Sequence, residues 1–234
     1  QLGFKEIYYG YKNAIAQWRH LQQQNDFPVF LRDYFAWVND AAQVNTVKSQ
    51  NLTPIAWRDD NNQWQFGSCH LPLPHCKKVL IVRPDAIGDF VIFSGVIEHF
   101  RKLYAGATIY VAVQEHVAEL ARVCPHIDEI ITFKKERVRN DHAYANQLAK
   151  QLQEHKFDVA VYPVYSRDEV GDFLTINSGA KEKIASAGDV RNISLEQKLV
   201  NNASYTKLIP AKEGIMLETL RNVEFLKGLG VSVD

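Results

Sequence analysis

The stretch that most constrains this 234-residue chain is Val79-Leu80-Ile81-Val82 with the polar turn that follows it, Arg83-Pro84-Asp85-Ala86-Ile87-Gly88-Asp89. Four consecutive apolar residues bounded by polar ones are expected of a central parallel strand buried on both faces. Beyond the turn, Phe90, Phe93, Ile97, Phe100 and Tyr104 recur at three- and four-residue spacing, as on one face of a helix. The segment reads as strand, polar turn, helix. In open α/β sheets such a turn lies at the carboxyl end of a strand, where ligands bind.

The rest of the chain from Lys77 repeats this alternation. Strands are expected at Thr108–Val113, Glu129–Phe133, Asp158–Tyr162 and, more briefly, Lys183–Ala185. Helices are expected at Val117–Val123, Asp141–His155, Ser166 to about Ser178, and Glu213–Leu229. Ser166 and Glu169 have the spacing of a capping box. Residues 187–212 read as polar and irregular. A βαβα order implies a doubly wound, mainly parallel α/β sheet. Its expected strand order is 3-2-1-4-5, with Val79–Val82 in the middle.

Residues 1–48 read as a helical extension with two apolar stripes, one from Phe4 to Leu21 and one from Val29 to Ala41. Aromatic stripes of this kind are usually packing surface. Residues 49–76 read as a linker carrying a hairpin around Asp59-Asp60-Asn61-Asn62. Cys69, His70, His75 and Cys76 are the residue types of a zinc site. Their adjacent pairs and the intervening Pro72-Leu73-Pro74 favour an extended linker instead. Residues 77–234 form the α/β domain. The chain opens on Gln1 and its only Met is Met216, so it reads as part of a longer or processed protein.

Composition excludes several classes. With 27 basic and 27 acidic residues the formal charge is zero, which argues against a dedicated nucleic-acid binder. No apolar run approaches the roughly 18 residues of a membrane span. Three cysteines give no disulfide framework and suit a reducing compartment.

Two carboxylates and an Arg in so short a turn call for a reason. The turn matches neither a dinucleotide-binding nor a P-loop glycine pattern. Gly88 permits a tight turn and close approach of another molecule. Asp89 fits either an N-terminal helix cap or a functional carboxylate. Arg83 and Asp85 fit either an exposed ion pair or substrate contacts. Lys134, Lys135, Arg137 and Arg139 follow the third strand at the same edge, as an anion clamp or as a solvated loop. Ser166 and Arg167 follow the fourth strand, as a cap or as substrate contacts.

The residues from Lys78 to Asp89 resemble the opening of glycosyltransferase family nine, the lipopolysaccharide heptosyltransferase family. The resemblance continues through 120–131 (LARVCPHIDEII), 162–168 (YPVYSRD) and 222–230 (NVEFLKGLG), and leaves 1–76 unmatched. It implies the Rossmann-like, acceptor-side half of a two-domain GT-B enzyme, with the donor-binding C-terminal domain absent. Such an enzyme inverts configuration and uses no metal or cofactor, and no D-x-D motif occurs here. Asp89 would be the general base. Arg83, Asp85, Gly88, the four cations at 134–139, Ser166 and Arg167 would contact substrate. The implied partners are a nucleotide sugar, a glycan or glycolipid acceptor and the protein's own C-terminal domain. The implied place is the cytoplasm, with peripheral association at the inner membrane. The alternatives are a non-catalytic Rossmann-like binding or assembly module, and a nucleotide-dependent enzyme that uses this sheet alone.

Overall fold

The computed structural model describes residues 53–58, 64–69 and 76–233. The helices expected over 1–48, and His70 and His75 of the Cys69–Cys76 set, lie outside the described residues. The strands are β1 (Thr53–Arg58), β2 (Trp64–Cys69), β3 (Lys78–Arg83), β4 (Thr108–Gln114), β5 (Glu129–Phe133), β6 (Val159–Tyr162), β7 (Glu182–Ser186) and β8 (Lys207–Ile209). The helices are α1 (Ile87–Ser94), α2 (Ile97–Leu103), α3 (Ala118–Arg122), α4 (Lys135–Asn140), α5 (His142–Glu154), α6 (Glu169–Ile176), α7 (Leu195–Asn202) and α8 (Glu218–Gly228).

The eight strands form one sheet in the order β2-β1-β8-β7-β6-β3-β4-β5. From β5 across to β8 every neighbouring pair is parallel. The expected 3-2-1-4-5 order is therefore present as β5-β4-β3-β6-β7, with β3 in the interior. Two features go beyond the expectation. A further parallel strand, β8, extends the sheet, and the expected hairpin, β1–β2, joins it antiparallel to β8. The hairpin is thus part of the sheet, because it pairs the edge that β8 would otherwise leave open.

The period of two in the strands divides the core into two layers. Val79 and Ile81 face one cluster, with Phe90, Phe93, Phe100 and Phe225 from α1, α2 and α8. Leu80 and Val82 face the other, with Leu148, Leu152, Val170 and Leu174 from α5 and α6. All four residues of the strand are fully buried, which is why the run is apolar at every position.

Several boundaries moved for local reasons. The helix expected from Phe90 is two helices broken at Gly95-Val96. The segment 187–212 contains α7, capped by Ser194, whose side chain accepts from Gln197 N. α6 starts at Glu169 and its cap is Asp168, which accepts from Gly171 N at 2.8 Å. Ser166 is therefore not the cap.

At Gly171, α6 passes close to the Tyr162 side chain of β6. A Cβ there would sit 2.1 Å from the Tyr162 ring, which is fully buried and cannot retreat. Gly171→Ala is expected to destabilise the fold by roughly 1–3 kcal/mol through overpacking. Chemical denaturation checks this: the midpoint should fall with the slope unchanged. An unaltered midpoint would show that the helix can ride outward at no cost.

Candidate active site

The carboxyl ends of β3, β4, β5 and β6 converge on the turn between β3 and α1. α1 opens on Ala86, which has extended backbone and offers no side-chain cap. Asp89 lies in the first turn of α1, favourable to the helix dipole, but it caps nothing. It is exposed and has neither a hydrogen bond nor an ion pair with any described residue. Gly88 is exposed, and an added Cβ would meet nothing within 4 Å. Its φ is not positive, so the turn does not need glycine for its backbone. What Gly88 leaves is bare, approachable main chain beside Asp89.

Beneath the turn Arg83 is 1 % exposed. Its guanidinium lies 4.3 Å above the Phe93 ring, 2.6 Å from Asp85 and 3.8 Å from Glu218. The Asp85 contact is close but misaligned, so the buried Arg83 nitrogens make no hydrogen bond with described residues. The Arg83–Asp85 pair is therefore buried, not an exposed surface pair. Burial pushes the Asp85 carboxyl up from its usual range, opposed by Arg83. Burial also raises Glu218; Arg83 opposes this, and the Asp85 and Asp89 charges add to it.

Two side chains hold the turn's carbonyls. Gln114, at the end of β4, donates from Nε2 to Pro84 O at 2.8 Å and to Asp85 O at 3.1 Å. Lys135 Nζ donates to Pro84 O at 3.3 Å while pairing with Asp168 at 2.5 Å. Asp168 in turn meets Tyr162, whose hydroxyl accepts from Asp168 N at 3.0 Å. Gln114, Asp168 and Glu218 are the residues that reading the sequence missed. Only Asp168 left a signal, as an Asp immediately before an apolar-periodic helix.

The structure brings Arg83, Asp85, Gly88, Asp89 and Lys135 together. It engages the other cations elsewhere, in and around α4, so the expected loop is a helix. Lys134 is 3.6 Å from Glu115. Arg137 pairs with Asp141 at 2.7 Å and stacks 4.3 Å over Tyr144. Arg139 pairs with Glu169 at 2.7 Å and with Glu136 at 3.0 Å. Ser166 is half-buried, its carbonyl accepting from Asn192. Arg167 is fully buried, hydrogen-bonded to Asn202, 3.5 Å from Asp172 and 5.0 Å from the Tyr205 ring centre. That position fastens α6 to α7 and keeps Arg167 from the surface. Among the described residues no group of three or more His, Cys, Asp or Glu side chains is arranged to hold a metal ion.

No family model matches the chain. It is 26% identical over 128 residues to a curated protein of Haemophilus influenzae named "Putative glycosyltransferase", covering 55% of this chain and 36% of that protein. A solved glycosyl transferase family 9 structure from Veillonella parvula superposes with a TM-score of 0.58 at 18% identity, over 69% of this chain and 44% of that one. The fold is similar to part of that glycosyltransferase structure. The E. coli heptosyltransferase WaaC with ADP gives a TM-score of 0.51 at 18% identity, over 66% of this chain and 48% of that one. The resemblance to glycosyltransferase family nine is thus borne out in fold, and the chain spans less than half the length of each of these relatives.

The turn's dependence on Gln114 is testable. Gln114→Leu removes the side-chain donor to Asp85 O and leaves Pro84 O with Lys135 alone, worth about 1 kcal/mol of local stability. Amide hydrogen exchange over residues 85–90 is expected to quicken by roughly tenfold, with the β3 and β4 amides unchanged. Unchanged exchange in the turn would show that Lys135 alone suffices.

Proposed function

We propose that this chain is the acceptor-binding, base-supplying half of an inverting, metal-independent glycosyltransferase. It transfers a heptose-like sugar from a nucleotide sugar to a glycan or lipopolysaccharide acceptor. The observation that carries this reading is Asp89: an exposed carboxylate with no partner among the described residues, beside bare Gly88 backbone, at the end of the central strand of a fold similar to that of a family 9 glycosyltransferase.

The chemistry needs one proton acceptor on this side. The acceptor hydroxyl oxygen attacks the anomeric carbon, and its proton passes to the Asp89 carboxylate. The bond from that carbon to the nucleotide phosphate oxygen breaks on the opposite face, so configuration inverts. The fixed turn supplies orientation: Gln114 and Lys135 hold Pro84 and Asp85, and α1 carries Asp89 from there.

The donor's phosphates would be held outside this sheet. A bare helix N-terminus favours anions, but at α1 Asp85, Asp89 and Glu218 oppose them. Heptosyltransferase WaaC was solved with ADP, which supports a nucleotide sugar as donor. No described helix is long and apolar enough to cross a membrane. Peripheral association at the cytoplasmic membrane face is supported by exposed aliphatic residues on both helices beside the turn. These are Ile87 and Val91 on α1, and Leu217 and Leu220 at the start of α8.

Asp89→Asn in the complete enzyme, assayed with nucleotide sugar and acceptor, tests the reading. Transfer is expected to fall by roughly 10²–10⁴-fold, since the amide takes up no proton. The thermal melt should be nearly unchanged, because Asp89 has no hydrogen-bond or ion-pair partner among the described residues and loses only its exposed charge at the helix start. Near-parental turnover would remove Asp89 from the mechanism and favour a non-catalytic Rossmann-like binding module.

A further inference from the structure

α7 carries a buried lysine that the site described above does not use. Lys198 Nζ donates to Gly188 O at 2.7 Å and to Asp189 O at 2.9 Å, both in the loop that joins β7 to α7. It forms no ion pair with a carboxylate among the described residues. Two acceptors are what a neutral amine needs, because it has two N–H groups; an ammonium has three. A proton taken up here would leave one N–H and a full charge without a partner among buried groups.

The loop is fitted closely to its neighbour, the loop after β6. Asp189 N donates to Tyr165 O at 3.2 Å, and Asn192 Nδ2 donates to Ser166 O at 2.9 Å. Gly188 has a φ of +50°, and an added Cβ there would collide with Tyr165 O. Tyr165 and Ser166 run on into Arg167 and Asp168, and Asp168 reaches the turn of the candidate site through Lys135.

Three charged groups act on the amine. Burial first, and then Arg167 on the loop after β6, lower Lys198 to about 7. Asp189 on its own loop and Asp172 on α6 act in the other direction. Both acids are engaged elsewhere, Asp189 with Arg191, and Asp172 with Tyr205 and Asn201.

We propose that the β7–α7 loop is a latch worked by a proton: Lys198 holds it shut as a neutral amine and releases it on becoming an ammonium. In the open loop the amine is in water, where a lysine keeps its proton up to about pH 10.4. Between about 7 and that value, opening takes up a proton, so it becomes easier as pH falls across the window. Below about 7 both forms are charged and the dependence levels off. The latch is independent of the reaction proposed above. It sets how firmly the neighbouring loop is held near neutral pH.

Isotope-labelled lysine lets Lys198 be titrated by NMR in the whole protein, with Lys198→Met assigning its signal. A midpoint of about 7 is expected; a midpoint near the ordinary lysine value of about 10.4 would overturn the latch. Amide hydrogen exchange over residues 187–202, corrected for the intrinsic rate at each pH, reads the opening. Protection is expected to rise by up to about tenfold per pH unit above the Lys198 midpoint and to stay level below it, with the β3 and β4 amides level throughout. Lys198→Met removes the titrating group, and its loop is expected to exchange faster than the parent's at high pH and without the slope. Protection in the parent that does not follow the Lys198 titration, or a slope that survives in Lys198→Met, would also overturn it. Should the variant not fold, the two parent measurements decide by themselves.

Discussion

A guanidinium buried under a turn is the constraint on which the site depends. A charge taken out of water is costly unless opposite charge lies close by. Arg83 is held by Asp85 from the turn, by Glu218 from the start of α8 and by the face of Phe93 on α1. Those contacts tie together the end of β3, the first helix and the last. None is a well-aligned hydrogen bond, so the grouping is held by charge and packing. Its consequence is local: Asp85 and Glu218 are occupied with Arg83, and Asp89 is left exposed without a partner among the described residues.

Helix caps do a second job at this edge. Asp141 and Asp168 each give one oxygen to a helix N-terminus and the other to a cation. The caps set the positions of α5 and α6, and the same carboxylates neutralise Arg137 and Lys135. Lys135 then reaches Pro84 O, so a cap on α6 is linked through one ion pair to the turn that carries Asp89. Fold and electrostatics are settled by the same side chains.

The sequence showed most clearly what burial makes periodic. Val79–Val82 is legible because both faces of β3 are covered, and α5 because Ala145, Leu148, Ala149 and Leu152 lie on one side. α7 was hidden because two of its buried residues, Lys198 and Asn202, are polar. Lys198 gives its side-chain N–H groups to the carbonyls of Gly188 and Asp189, and burial lowers it to about 7. The signal that would have found α7 is Ser194 with Gln197, a capping-box pair. β8 is only three residues long and has no pattern to read. In the site, the Arg83–Asp85–Asp89 grouping was legible because it is local. The pairing of Arg139 with Glu169, 30 residues apart, is set by how α4 packs on α6, and no spacing rule reports that.

The proposed mechanism requires Asp89 to meet the acceptor hydroxyl. A crystal structure of the protein with an acceptor sugar bound tests it most directly. A sugar hydroxyl oxygen is expected within about 3.2 Å of an Asp89 carboxylate oxygen, lying against the bare backbone of Gly88. A sugar seated instead on Arg137 and Arg139, with Asp89 turned to solvent, would contradict it.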